Sequence, residues 1–454
     1  MNCSEIFRAL VPLAEAILPH RLYAVGGSVR DALLGRAEKA PDFDVCSDLP
    51  PEKLAEMLPD GCVVLPHGGV ASATVDYCGA VCEYTAFRRD RYELAGGSHA
   101  PVGFEYVASP EEDSLRRDFR CNAVYFDVLA GQTLDPLGGI RDIEEGVLRT
   151  VRDADIVMAE DPVRILRLAR FAAGLGFSAD AAAKAACVKY VDSIDGLSAE
   201  RKRREWDGLM RGRYLRNGLD TAFETGILAK LFPALADNAG VEQPSSQHRY
   251  DALEHAFVCA EAAPDGLKTA ALLHDEGKAE AMRRDGNMHF HAEYGAASAE
   301  RELTALGYPK AFVKKTVRLI ALHMFDINNT AKRNTLRRFI ADNADILDDL
   351  CALMVADSVA TGLHTRNPRA ERIAKERDIM RESGVPFSPS ELKISGKELA
   401  AVGFEGKEIA EIGRELFERC LFGSIPNDGQ ALKAAAEKKF AKKQPQRGGK
   451  GDKK

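Results

Sequence analysis

Two acidic residues near the N-terminus have the spacing of a metal-binding pair. Asp42 and Asp44 flank Phe43 where a short strand is predicted to begin. Residues two apart on a strand lie on the same face, about 6 to 7 Å apart, so both carboxylates can bind one divalent cation. Mg²⁺ accepts carboxylate oxygens and keeps positions for triphosphate oxygens, which suits nucleotidyl transfer. The same pattern is also common on solvent-facing strands, so it needs support from its surroundings.

A glycine turn precedes the acidic pair. Residues 22–27 have the pattern of a short strand ending in Gly26 and Gly27, and residues 28–35 that of a helix with Ser28 as its N-cap. Backbone N–H groups at such a turn can bind phosphate oxygens. A phosphate-binding turn followed by two acids therefore predicts a nucleotide site.

The stretch from Gly26 to Asp44 closely resembles the signature of the nucleotidyltransferase superfamily, in its tRNA nucleotidyltransferase and bacterial poly(A) polymerase branch. The resemblance implies that Asp42 and Asp44 are catalytic and hold Mg²⁺, with Glu83 as the third acid. Residues 116–123 resemble the segment that contacts the sugar and phosphate of the nucleotide, and residues 135–139 the hinge that closes the catalytic domain. The nucleotide-binding residues implied in this part of the chain are Gly26, Gly27, Ser28, Arg30, Arg117, Asp118 and Asn122.

A second group of residues can recognise a base. Asp161 and Arg164 are three apart at the start of a predicted helix over 162–175, which places them on one face. A carboxylate acceptor beside guanidinium donors can present an edge complementary to cytosine or adenine. Residues 160–171 resemble the segment that serves this family as an amino-acid template for CTP and ATP. Arg167 and Arg170 continue the basic stripe and are expected to contact the nucleotide, although a solvated helix face is the alternative.

Histidines cluster in the second half of the chain. Six of the ten lie between residues 248 and 323, and an adjacent His-Asp pair within a helical pattern suggests a metal site. Their order resembles the ligand set of the HD phosphohydrolase superfamily, which implies one or two divalent transition metals that activate water. The alternative is a helical spacer or RNA-binding body. The implied ligands are His255, His274, Asp275, His291, His323 and Asp357.

The elements that position these groups change along the chain. Short β-rich runs alternate with helices up to about residue 140, and long helical patterns follow. We predict an α+β multidomain protein whose N-terminal nucleotidyltransferase α/β head has a mixed sheet. The predicted parts are the head (1–140), a helical neck with base recognition (141–240), an HD-type helical domain (241–385), a helical tRNA-binding tail (386–437) and a basic tail expected to be disordered (438–454).

Composition restricts the class of protein further. The 454 residues are 45% hydrophobic and 29% charged, and no apolar run has the length of a membrane helix. Ten cysteines without a CxxC pair do not indicate a disulfide framework, and no basic leader is evident, so a cytoplasmic protein is expected. The net charge is −7, yet residues 438–454 carry eight Lys or Arg and one acid, which suits a polyanion.

The leading hypothesis is template-independent addition of C, C and A to the 3′ end of tRNA from CTP and ATP, with two Mg²⁺ ions. A poly(A) polymerase and partial enzymes that add only CC or only A are alternatives within the family. A signalling enzyme that modifies a partner protein through its nucleotidyltransferase and HD parts is a further alternative, as is a non-enzymatic RNA-binding module. The sequence does not specify an oligomeric state.

Overall fold

The computed structural model describes residues 3–36, 43–58, 63–66, 72–92, 101–245 and 248–443. The predicted catalytic residue Asp42 lies outside these ranges. The described chain divides into two compact units, one up to residue 237 with 301–309 added, the other from 238 to 300 and from 310 onward. In the described ranges, no helix combines the length and apolar character needed to cross a membrane.

The first unit contains a mixed seven-stranded sheet with the order β3-β4-β5-β2-β1-β8-β9. Strand β2 runs parallel to β5, and every other neighbouring pair in the sheet is antiparallel. Strands β6 and β7 form a separate antiparallel hairpin. The mixed sheet confirms the predicted α/β head. The strands are β1 Tyr23–Val25, β2 Phe43–Ser47, β3 Val63–Pro66, β4 Ser72–Tyr77, β5 Ala80–Ala86, β6 Arg88–Arg91, β7 Gly103–Tyr106, β8 Tyr125–Asp127 and β9 Gln132–Leu134.

Strand β5 shows how the side-chain pattern sets the two faces of the sheet. Cys82, Tyr84 and Ala86 are buried, whereas Val81 and Glu83, which alternate with them along the strand, are exposed. This alternation is the period of two expected for a strand with one face on the core. Glu83 therefore lies on the open face.

Helices make up most of the rest of the first unit. The longest of them, Val163–Leu175, packs against Ala199–Met210 and Leu215–Glu224. The helices of the first unit up to residue 237 are Cys3–Ile6, Val11–Ala16, Gly27–Leu33, Pro51–Met57, Pro110–Ser114, Gly139–Glu145, Ala154–Glu160, Val163–Leu175, Ala181–Tyr190, Ala199–Met210, Leu215–Glu224, Ile227–Leu231 and Pro233–Ala236. Short 3₁₀ turns at Phe7–Leu10, Arg120–Asn122 and Val191–Gly196, and a two-stranded ladder of β10 Val147–Leu148 with β11 Ser178–Ala179, complete it.

The second unit is helical. Helix Ala252–Ala262 packs against Lys268–Leu273 and Leu347–Ala360, which brings three segments with predicted metal ligands together. A smaller apolar cluster that includes Leu399, Leu416 and Leu432 joins the last helices. The helices are Ala252–Ala262, Lys268–Leu273, Lys278–Asp285, His291–Ala305, Lys310–Leu322, Arg333–Asp342, Leu347–Ala360, Pro368–Glu382, Gly396–Val402, Lys407–Leu421 and Gly429–Lys443, with 3₁₀ turns at Asp265–Leu267 and Pro389–Glu391.

The structure corrects the predicted start of the helix that follows the Gly26–Gly27 turn. Ser28 is not the N-cap, because the helix begins at Gly27 and Gly26 occupies the cap with a φ of 77°. The Ser28 hydroxyl instead donates to the carbonyl of Val25 at 3.2 Å. A positive φ is costly for residues other than glycine, so the turn geometry selects Gly26 rather than a serine cap.

Three further elements differ from the predicted pattern. The β6–β7 hairpin is not among the predicted elements, and residues 93–100 between its two strands lie outside the described ranges. The helical stretch over 215–231 is divided into Leu215–Glu224 and Ile227–Leu231 at Gly226, which has a φ of 78°. The predicted disorder from residue 438 is wrong up to 443, because helix Gly429–Lys443 continues to that point, and residues 444–454 lie outside the description.

The packing around Gly139 generates a stability prediction. A Cβ there would lie 2.1 Å from the carbonyl oxygen of Arg120, whereas a Cβ on the exposed Gly174 would meet nothing within 4 Å. We expect Gly139→Ala to lower the free energy of unfolding by about 1–3 kcal/mol, since backbone must move. Gly174→Ala should be neutral or raise it by up to about 1 kcal/mol, because alanine favours helix. Urea unfolding followed by circular dichroism measures both, and equal effects would contradict this packing argument.

Candidate functional site

A cleft of about 590 Å³ lies in the first unit and collects most of the predicted nucleotide-site residues. Ser28 is buried behind the turn and does not line it. Glu83 is not in the lining either, but it pairs with Asp44 on the neighbouring strand. The predicted residues that line the cleft are Gly26, Gly27, Arg30, Asp44, Arg117, Asp118, Asn122, Asp161, Arg164, Arg167 and Arg170.

Two carboxylates are placed side by side by the parallel pairing of β2 with β5. Asp44 is opposite Glu83 in the register, and both side chains are exposed. Thr74 Oγ1 on β4 donates to Glu83 Oε1 at 2.9 Å and orients that carboxylate. Neighbouring carboxylate oxygens on an open face form a donor set of the kind that Mg²⁺ prefers.

The glycine turn approaches this acidic pair closely. A Cβ on Gly26 would lie 3.4 Å from Asp44 Oδ2 and 3.9 Å from a terminal nitrogen of Arg117. The missing side chain leaves the backbone open between a carboxylate and a guanidinium. A phosphate that binds at the turn would therefore lie beside both the Asp44 carboxylate and the Arg117 guanidinium.

Arg117 is held by a buried carboxylate that the sequence analysis did not single out. Arg117 Nη2 donates to Asp113 Oδ2 at 2.9 Å, Arg116 Nε donates to Oδ1 at 2.7 Å, and the Tyr125 hydroxyl donates to Oδ2 at 2.8 Å. Burial raises the pKa of Asp113, but Arg117 and Arg116 outweigh it and lower the pKa well below the usual range. The ionised carboxylate fixes both guanidinium groups at the cleft wall.

A second hydrogen-bonded chain crosses the floor of the cleft. Arg30 Nη1 donates to Asn122 Oδ1 at 2.5 Å, and Asn122 Nδ2 donates to Asp118 Oδ1 at 3.1 Å. Arg167 lies 2.6 Å from the other oxygen of Asp118. Burial raises the pKa of Asp118, but Arg167 and the hydrogen bond from Asn122 lower it by more. The pKa of Asp118 is therefore below its ordinary value. These predicted residues thus contact each other directly.

Arg164 is buried and held by four acceptors. Nη1 donates to the carbonyl of Val157 at 3.0 Å and to Glu160 at 3.1 Å. Nη2 donates to the carbonyl of Arg116 at 2.7 Å and to the Tyr92 hydroxyl at 3.2 Å. The guanidinium plane is therefore preset rather than mobile.

Asp161 lies just before the helix that carries Arg164, and both side chains line the same cleft. Its Oδ1 accepts from the Val163 backbone N–H at 3.1 Å and lies 3.3 Å from Arg201. Oδ2 is free of these contacts. A carboxylate and a guanidinium at one wall can match a base edge through acceptor and donor groups.

The last predicted arginine is braced from a neighbouring helix. Arg170 Nε lies 2.8 Å from Oε2 of the buried Glu205. Ser198 caps the helix of Glu205 by accepting from the Arg201 N–H. The ring centroid of Phe171 lies 5.5 Å from the guanidinium carbon of Arg30 and 4.5 Å from that of Arg170, within the range of cation–π contacts.

In the second unit, the six predicted metal ligands converge. His255, His274, Asp275 and Asp357 form one group whose ligand atoms lie within 4.8 Å of one another. Asp275, His291 and His323 form a second group by the same measure. Asp275 belongs to both, with Oδ2 3.1 Å from His274 Nε2 and Oδ1 3.1 Å from His291 Nε2. One carboxylate between two groups fits a two-metal centre.

The histidine tautomers suit metal binding. The Nδ1 atoms of His274, His291 and His323 lie 2.6–2.7 Å from the backbone carbonyls of Ala271, Met288 and Ile320, so each Nδ1 carries the proton. Each Nε2 then presents a lone pair to the centre. Burial lowers the pKa of His323, which keeps that ring neutral.

Comparison with known proteins agrees with this arrangement. Residues 22–149 match the model of the poly A polymerase head domain, 176–238 that of the probable RNA and SrmB-binding site of polymerase A, and 234–361 that of the HD domain. The chain is 30% identical to the A-adding tRNA nucleotidyltransferase of Deinococcus radiodurans, over 94% of this chain and 98% of that one. It is 30% identical to the CC-adding tRNA nucleotidyltransferase of Thermus thermophilus, over 91% and 92%.

The chain belongs to the tRNA nucleotidyltransferase family. Its fold is shared with the Bacillus stearothermophilus CCA-adding enzyme solved with CTP, with a TM-score of 0.70, 22% identity, and coverage of 98% of this chain and 99% of that one. Family membership makes the chain a nucleotidyltransferase and confirms the predicted enzyme class and the HD domain.

Several residues in or behind the cleft were missed by sequence reasoning. Asp113, Tyr92 and the ion pair of Arg88 with Asp90 at 2.7 Å all contribute to the cleft or its wall. Asp113 lies four residues before Arg117, so its i,i+4 spacing was an available signal. Tyr92 has no such signal, because its partner Arg164 is distant in the sequence.

The shared position of Asp275 generates a metal-content prediction. We expect Asp275→Ala to remove most bound transition metal, because both ligand groups lose a member. His289→Ala is the matched control, since that histidine is exposed and outside both groups. Elemental analysis of protein loaded with Mn²⁺ or Co²⁺ and desalted measures the metal per chain. Retention of wild-type metal in Asp275→Ala would reject this ligand assignment.

Proposed function

We propose that this chain adds C, C and A, without a nucleic-acid template, to the 3′ end of tRNA, using CTP and ATP. The observation that carries the proposal is that one cleft is lined by Asp161, Arg164 and Asp44, and that Asp44 is paired with Glu83 on the neighbouring strand. Similarity over nearly the whole chain to tRNA nucleotidyltransferases supports tRNA as the acceptor. We expect the reaction in the cytoplasm, where its substrates occur.

Asp44 and Glu83 would hold Mg²⁺, together with Asp42, which lies outside the described residues. Bound Mg²⁺ would lower the pKa of the primer 3′-hydroxyl and neutralise the pyrophosphate leaving group. Two exposed carboxylates in register on neighbouring strands are compatible with this donor set.

The other residues orient the nucleotide in this proposal. Backbone N–H groups after Gly26 receive phosphate oxygens, and Arg117, fixed by Asp113, stabilises the developing negative charge. Arg30, Asn122 and Asp118 bind the sugar and phosphates. Asp161 and Arg164 read the base, while Arg167 and Arg170 lie along the path toward the primer.

The base-facing pair favours CCA addition over the other activities. A protein-modifying signalling enzyme has no need to select both C and A, and an RNA-binding module has no need of an acidic pair. The two relatives named above are an A-adding and a CC-adding protein. The number of nucleotides that this chain adds is therefore what the primer-extension experiment must measure.

Primer extension tests the proposal directly. Three tRNA primers, ending at the discriminator base, after C or after CC, are incubated with Mg²⁺ and CTP, ATP or both, and resolved at single-nucleotide length. With CTP and ATP together, we expect each primer to be completed to CCA and extension then to stop. A stop at CC, extension of the CC primer alone, or long A runs would assign a partial enzyme or a poly(A) polymerase instead.

The acidic pair is tested by Asp44→Asn. Loss of a metal-holding carboxylate should reduce incorporation at least about a thousandfold, while tRNA binding by gel shift stays unchanged. Asp76→Asn is the matched control, since Asp76 is exposed on the neighbouring strand β4 and outside the cleft. Substantial incorporation by Asp44→Asn would defeat the metal-site assignment.

The HD unit has a candidate function of its own. We propose metal-dependent hydrolysis of a phosphoester there, because Asp275 lies between two groups of ligands and each side can take a divalent transition metal. This activity is independent of nucleotide addition and would be lost in Asp275→Ala.

A further inference from the structure

Tyr92 lies between the β6–β7 hairpin and the base-facing wall of the cleft. It directly follows strand β6, is half-buried and lines the cleft. Its hydroxyl accepts from Arg164 Nη2 at 3.2 Å, and the Arg164 guanidinium carbon lies 5.6 Å from the ring centroid. Both the ring and the hydroxyl of Tyr92 thus contact Arg164, which is a member of the proposed base-reading pair.

The hydroxyl has a proton to offer. A phenol accepts through oxygen and donates through O–H at the same time. The hydroxyl of Tyr92 accepts from Arg164, and its own proton has no acceptor within the ranges that the structure describes. Burial raises the pKa of Tyr92 to about 12, although Arg164 lowers it, so the hydroxyl remains protonated at neutral pH.

The two bases to be added share an acceptor. The ring nitrogen N3 of cytosine and N1 of adenine both carry a lone pair, whereas N3 of uracil and N1 of guanine carry a hydrogen. A hydroxyl donor at the cleft wall can therefore form a hydrogen bond with the ring nitrogen of C or A, but not with that of U or G. A buried donor left unpaired is costly, which sharpens the discrimination.

We propose that Tyr92 is a specificity-determining residue whose hydroxyl, held by Arg164, donates a hydrogen bond to the ring-nitrogen acceptor shared by cytosine and adenine. The inference rests on the proposed function, because it names a further contact to the base in the same cleft. Arg164 then has two tasks: it faces the base and it orients the tyrosine hydroxyl.

The test compares wild type, Tyr92→Phe and Tyr106→Phe. The control Tyr106 is on the paired strand β7 of the same hairpin, is 44% exposed and does not line the cleft. Values of kcat/KM are measured for CTP on the discriminator-base primer, for ATP on the CC primer and for UTP on both. Equilibrium binding of CTP and UTP is measured on the same proteins.

We expect Tyr92→Phe to lower kcat/KM for CTP and ATP about three- to tenfold, the range for loss of one neutral hydrogen bond. UTP values should change little, so discrimination falls, and Tyr106→Phe should match wild type. Unchanged C-over-U discrimination overturns the inference, and so does an equal loss for all nucleotides, which would mark a purely structural role. The binding arm needs no turnover, so failure of wild type to extend tRNA would refute the proposed function without obscuring the effect of Tyr92.

Discussion

The parallel pairing of β2 with β5 is the constraint on which the nucleotide site depends. It places Asp44 directly beside Glu83, although the two residues are far apart in the chain. A slip of one residue in this register would turn one carboxylate toward the core, because side chains alternate between faces. The buried alternation of Cys82 and Tyr84 on β5 prevents such a slip, so core packing determines the geometry of the acidic pair.

Around this pair, buried carboxylates fix cations at the cleft wall. Asp113 holds Arg116 and Arg117, Asp118 holds Arg167, and Glu205 holds Arg170. Ion pairs of this kind contribute little net stability once desolvation is counted, but loss of one partner is costly. In the proposed reaction their value is orientation, because guanidinium groups held before the substrate arrives need no reorganisation when negative charge develops.

The HD unit uses backbone carbonyls for the same purpose. Three histidines donate from Nδ1 to a carbonyl three residues earlier on their own segment, so local helical geometry selects the tautomer. Tertiary packing then brings helices Ala252–Ala262 and Leu347–Ala360 together, which places His255 Nε2 3.1 Å from Asp357 Oδ1. The tautomer of each histidine is therefore set within its own segment, whereas tertiary packing brings the ligands from different segments together.

The sequence by itself determined the residue types and the α/β-then-helical order. It also named most of the residues that line the cleft and the six that converge in the HD unit. Spacing was sufficient for the Gly26 turn, for Asp161 with Arg164 and for the adjacent His274 and Asp275, because these relations lie within one or two turns of chain. It was insufficient for Ser28, since the positive φ at Gly26 moved the helix start, and for the β6–β7 hairpin. Only the tertiary structure decided the pairing of Asp44 with Glu83, the anchoring of Arg117 by Asp113 and the contact of Tyr92 with Arg164. These contacts join segments whose separation in the chain carries no periodic signal, and packing and strand register set their distances.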